Sequence, residues 1–175
     1  MQNKSETPAL GLVVLGALAR LIPHPPNMIP VGGLSLFAGA RMRGWRACLV
    51  PLLLMLVTDP LVGGYSFATP FVYASFLINV WIGTRLRGTE GPVKIGGAAT
   101  AGAVQFFLIT NFGTWLGSTH LYPHTFAGLM TCYVAAIPFF WRTLAGDLFY
   151  SAALFGLYAL ATRRMMHRQA RPATV

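Results

Sequence analysis

Apolar stretches of roughly membrane length alternate along this chain with short polar punctuation, and the punctuation sets the predicted elements. After the polar start MQNKSET, an apolar run covers residues 8–22 and stops at the helix-breaking PHPPN of residues 23–27. A second short run, 28–42, follows. Both lie near the lower length limit for a span, so they predict two tilted helices or a re-entrant hairpin, with both ends on one side. Further spans are expected at about 47–63, 67–84 and 95–117.

Basic residues fall in few places: Arg41, Arg43 and Arg46; Arg85, Arg87 and Lys94; Arg163, Arg164, Arg168 and Arg171. Placing all three clusters in the cytoplasm requires an even number of crossings and only one full crossing after Gly117. Residues 125–141 are therefore expected as a partial, interfacial or re-entrant helix, broken at Pro138 and Arg142. The final span is then 143–162, followed by a basic cytoplasmic tail at 163–175. The predicted fold is all-α: a polytopic membrane bundle of about six transmembrane helices, one domain over 1–175, with residues 1–7 as a cytoplasmic amino end. The expected location is the inner (cytoplasmic) membrane, with the lipid bilayer as surroundings and both chain ends in the cytoplasm.

Composition agrees with that pattern. With 55% hydrophobic and 10% charged residues the surface of a soluble domain could not be covered. The net charge of +9 does not mark a nucleic-acid partner, because the basic side chains sit at helix ends rather than together on one face. Cys48 and Cys132 lie inside apolar runs and form no CxxC or disulfide framework. The stretch LGALA before Arg20 also fits a signal-peptide cleavage site, but only Lys4 stands against Glu6 in the segment before it, and an uncleaved first helix is the reading preferred.

The expected topology sorts the polar residues. Loops lacking Lys and Arg fall on the outer side and carry His24, Asn27, Tyr65, His120, Tyr122 and His124. Asp59, Asn111, Trp115 and Asp147 lie in the outer parts of their spans, so the polar groups converge on an outward-facing bowl. An aspartate within a span costs about 3 kcal/mol on insertion scales and normally faces a partner, a cavity or a pathway. Two readings compete. In one, Asp59 pairs with Arg20 and Asp147 with Arg142, as structural ion pairs. In the other, these carboxylates recognise a solute. Gln105, Thr110 and Asn111 are uncharged donors and acceptors equally suited to interhelical hydrogen bonds. Asn111 and Trp115 share a helix face, a hydrogen-bonding amide beside a stacking ring, although a Trp near a span end is also ordinary interfacial furniture.

No HExxH, carboxylate cluster or Cys pair accompanies His24, His120 and His124, so no metal is expected. No nucleophile with a placed base and no phosphate-binding loop is visible, so neither catalysis nor a cofactor is expected. The glycines recur at helical spacing: Gly97 and Ala101, Ala98 and Gly102, Ala99 and Ala103, Ser35 and Gly39, Ala152 and Gly156 are small-residue pairs that permit close helix contact.

The strings RLIPHPPNMIPVGGLSLFAGA, FFLITNFGTWL and YPHTFAGLMTCYVAAIPFFWRTLAGDLFY resemble a bacterial integral membrane family of unknown function described as transport proteins, over nearly the whole chain. The six-span layout, the small-residue-rich amino end and the IPFF leading into the last helix are similar to substrate-binding S components of energy-coupling-factor (ECF) vitamin transporters. That resemblance implies an outward pocket for a micronutrient and docking to an energising transmembrane subunit coupled to ATPases. In place of the AxxxA-type interface motif frequent in the first helix of S components, this chain has Gly16, Ala17 and Ala19. It holds no nucleotide-binding motif, so any use of ATP belongs to partners. The expectation is a membrane transport protein that binds a small polar or heteroaromatic solute from outside. Asp59, Asn111, Trp115 and Asp147 would form its pocket, with His24, Asn27, Tyr65 and His124 at the rim. The rival is a structural or assembly subunit with no solute of its own.

Overall fold

Short apolar helices with glycines at their contact faces can approach one another backbone to backbone, and one such helix organises this molecule. The computed structural model describes residues 3–20, 27–62, 64–88, 91–118 and 120–169. Among them are six helices and no strand: α1 Asn3–Ala19, α2 Val31–Arg41, α3 Arg46–Val62, α4 Thr69–Thr84, α5 Pro92–Gly117 and α6 Phe126–Gln169. Two of them, α5 and α6, are long and apolar enough to cross a membrane.

The axis of the bundle is α2, which touches each of the other five helices. Its 11 residues rise only about 16 Å, too little to cross a bilayer, and every one from Val31 to Ala40 is buried. The sequence VGGLSLFAGA permits this because its one polar side chain, Ser35, donates back to the Val31 carbonyl at 2.7 Å. Gly39 lies against the Val80 carbonyl of α4, Gly83 of α4 lies against the Leu36 carbonyl, and Gly33 lies against Tyr150 and Ser151 of α6. A methyl group at any of them would meet another helix's main chain or its Cβ. Phe37 meets Phe155 and Tyr158 edge-on at 5.3 and 5.7 Å, and Arg41 closes the stack with its guanidinium 4.8 Å from the Tyr158 ring centre.

The expected break between 125–141 and 143–162 is absent. α6 runs through Pro138 and Arg142 as one helix of 44 residues. Proline removes one N–H and crowds one carbonyl, a local defect that neighbouring packing can hold in line. Here α5 supplies the brace: the Phe107 ring packs against Tyr133 before the proline and edge-on against Phe140 after it, at 5.6 and 5.2 Å, and the Tyr133 hydroxyl donates to the Leu108 carbonyl at 2.8 Å. Small-residue faces are used selectively. Ala99 and Ala103 are buried and Gly102 lies on Asn79 of α4, whereas Gly97 and Gly156 face open space.

The first two basic clusters, after α2 and after α4, meet at one end. The Arg87 guanidinium donates to the Gly39 and Met42 carbonyls at 3.2 and 3.3 Å, tying the α4–α5 turn to the end of α2. The rest of the surface is unusually apolar, with Leu53, Val57, Leu61, Trp81, Val134 and Leu157 each more than half exposed.

Candidate functional site

A cavity of about 370 Å³ opens between α5 and α6, with Val72 of α4 and Asn27 completing its wall. Its polar lining is Asn27, Thr110, Asn111, Thr114 and Thr143, and four phenylalanines, 106, 107, 139 and 140, supply most of the rest. A smaller chamber of about 30 Å³ adjoins it, sharing Asn27, Phe106 and Thr143 and reaching Asp147 and Gly32. The sequence builds this wall through one helix face. Thr110 and Thr114 stand four residues apart on α5 with Asn111 beside them, and each directs its donor to its own preceding turn. Thr110 donates to Phe106, Asn111 to Phe107 and Thr114 to Thr110, at 2.8, 2.7 and 3.0 Å; on α6, Thr143 donates to Phe139 at 3.2 Å. The hydroxyl lone pairs and the Asn111 carbonyl oxygen stay available, so the lining accepts more readily than it donates.

Asp147 occupies the middle of α6. Only 3% of it is exposed, and among the described residues it has neither a hydrogen bond nor an ion pair. The expected pairing with Arg142 does not occur. Five residues along a helix turn the side chain about 140° away, and Arg142 is exposed on another face. Opposite the carboxyl is Gly32 of α2, where any Cβ would collide with Asp147 Oδ1. That glycine is what lets a carboxylate fit between α2 and α6.

Asp59 has a different environment. Arg20 Nη2 donates to its Oδ1 at 2.6 Å and the Tyr73 hydroxyl to its Oδ2 at 2.9 Å, while Arg20 Nη1 lies 2.6 Å from Met55 Sδ. Arginine and aspartate are 7% and 9% exposed, so this is a buried lock between the end of α1, α3 and α4. Asp59 lines neither chamber. Nor does Trp115, whose indole N–H donates to the Pro123 carbonyl at 3.0 Å while His124 Nε2 lies 3.1 Å from the Trp115 carbonyl. The two rings, 5.1 Å apart, clasp the α5–α6 turn. The Tyr65 hydroxyl donates to the Leu56 carbonyl at 3.0 Å and closes the α3–α4 loop. Gln105 belongs to the α4–α5 contact, bonding the Ser75 carbonyl and Asn79 Oδ1 at 3.0 and 2.9 Å. His24 and the basic tail beyond Gln169 lie outside the described residues.

Of the residues expected to form one bowl, the structure thus brings together Asn27, Asn111 and Asp147. Sequence reasoning missed Thr114, Thr143 and the phenylalanines. The available signal was the Thr110–Thr114 spacing around Asn111, which puts three polar side chains along one flank of an apolar helix. A second space of about 400 Å³ between the start of α5 and the later half of α6 is mostly small and aliphatic, with only Arg41 and Ser151 polar, and offers little to orient a polar solute. Among the described residues no three His, Cys, Asp or Glu side chains group as metal ligands would.

Comparison with known families decides the chain's kinship. The chain belongs to DUF6580, a family of unknown function. The DUF6580 match spans residues 1–171 and so takes in all six helices and both chambers. No curated protein and no solved structure matches the chain. Membership of DUF6580 carries no activity with it, and function has to be argued from the site.

Proposed function

We propose that this protein is a multi-pass protein of the bacterial cytoplasmic membrane that binds a small polar or heteroaromatic solute in the α5–α6 cavity and takes part in moving it inward. The observation that carries this reading is Asp147, a buried carboxyl without a partner among the described residues, beside a cavity of about 370 Å³. A structural subunit gains nothing from such a group, since an unpaired buried carboxyl only subtracts from stability. The cavity's size and its mix of aromatic walls with a few placed polar groups are those of small-molecule sites.

Membrane residence is supported by the apolar outer faces of α3 to α6 and by the gathering of Arg41, Arg85, Arg87 and Lys94 at one end of the bundle, the end assigned to the cytoplasm. In this reading α1, α3 and α4 cross as short or tilted spans around α2. Energy for uptake would come from a partner subunit with ATPases, as in the S components the sequence resembles.

Thiol labelling tests the reading. In a chain with Cys48 and Cys132 replaced by alanine, Thr114→Cys in right-side-out vesicles is expected to react with a membrane-impermeant maleimide, and Arg43→Cys to react only after the vesicles are opened. Failure of Thr114→Cys to react from outside, with Arg43→Cys reacting there instead, would overturn the outward-facing cavity.

A further inference from the structure

Resting on the solute-binding reading above, we infer that the solute carries a cationic nitrogen, an ammonium or amidinium group, that seats in the inner chamber against the Asp147 carboxylate. A carboxylate as deeply buried as Asp147, 3% exposed, is stable as an ion only against a counter-charge. Among the described residues no Lys, Arg or His lines either chamber, and the nearest basic neighbour in sequence, Arg142, is turned away. A cation brought by the ligand would supply that counter-charge, which the described lining does not offer.

Hydrogen-bond capacity selects in the same direction. Thr110, Thr114 and Thr143 have committed their hydroxyl protons to carbonyls of their own helices, and Asn111 has committed one amide proton. What those side chains retain is mostly acceptor, which suits a ligand rich in N–H and is poorly matched to a carboxylate or phosphate. The phenylalanines add ring faces that favour a cation.

Size completes the assignment. The inner chamber, about 30 Å³, holds a group the size of one water: a terminal ammonium or the tip of an amidinium, and no ring. Gly32 keeps that space open, since a side chain there would displace the carboxyl. The body of the solute then lies in the larger chamber, among Phe106, Phe107, Phe139 and Phe140.

Matched pairs of small probes test this on the whole purified protein: benzylammonium against benzyl alcohol, and benzamidinium against benzamide, titrated at neutral pH and read as shifts of the thermal unfolding midpoint. The charged member of each pair is expected to bind about tenfold or more tightly, as a charge-assisted hydrogen bond in a dry site requires. Asp147→Asn, which keeps the shape and removes the charge, should erase that preference. Equal or better binding of the neutral members, weakened by Asn111→Ala, overturns the cationic assignment and leaves the solute cavity standing. Binding of no probe overturns both. Should Asp147→Asn fail to fold, the preference of the unmodified protein for the charged member still decides.

Discussion

Removing the Asp59 carboxylate is the perturbation whose outcome separates a structural lock from a recognition site. In the structure that carboxylate is fully engaged, by Arg20 at 2.6 Å and Tyr73 at 2.9 Å, with the ion-pair partners 7% and 9% exposed. Deleting one member of a buried pair strands the other charge and costs about 3–5 kcal/mol. Asp59→Ala also orphans the Tyr73 hydroxyl, for about 1 kcal/mol more. In a chain of this length each kcal/mol lowers the midpoint by about 2–4 °C, so Asp59→Ala should lose roughly 10–20 °C in detergent. Asp59→Asn, which keeps an oxygen for Arg20, should fall between. The cycle with Arg20→Met is informative, because replacing both charges removes the desolvation burden together with the attraction, and the double variant Arg20→Met, Asp59→Leu should recover most of the loss. Thermal unfolding followed by tryptophan fluorescence reads all of these. An unchanged midpoint for Asp59→Ala, combined with lost solute binding, would refute the lock and return Asp59 to the pocket.

Other consequences follow from the same geometry. Gly83→Ala and Gly39→Ala should each cost about 1–3 kcal/mol, because the new methyl meets another helix's backbone, whereas Gly97→Ala should be neutral or stabilise by up to about 1 kcal/mol; chemical or thermal unfolding distinguishes them. Asn27 sits at φ 64°, a conformation glycine adopts freely, so Asn27→Gly should weaken probe binding to the cavity while leaving the unfolding midpoint within about 1–2 °C. Pro138→Ala restores a donor inside an unbroken helix and should raise the midpoint rather than lower it; a loss would mean that the proline shapes the α5 contact.

Much of this architecture is legible in the sequence because its boundaries are chemical. Proline at 92, the arginines after Thr84 and the glycine closing α5 mark helix ends, and the observed limits of α3, α4 and α5 follow them within three residues. Pro138 is misleading for the same reason. A breaker read locally takes no account of Phe107, which holds both sides of it. The 11-residue α2 reads as a weak span, and only the surrounding helices reveal it as the buried axis. At the site, Asn27, Asn111 and Asp147 stand out as polar residues in or beside apolar runs. Which aspartate finds a partner is not a local property, however. Arg20 reaches Asp59 across 39 residues of sequence, and Asp147 is left alone by a helical rotation that puts Arg142 on another face. The threonines look like ordinary helix residues until their shared face is placed against α6.

Whether the α5–α6 cavity holds a solute is decided by mass spectrometry of small molecules released on denaturing the gently purified protein, compared with Asn111→Ala and Asp147→Asn preparations. A nitrogen-rich, cationic compound should be enriched in the unmodified protein and depleted in both variants. Identical profiles from all three preparations would contradict it and favour a structural subunit with no solute of its own.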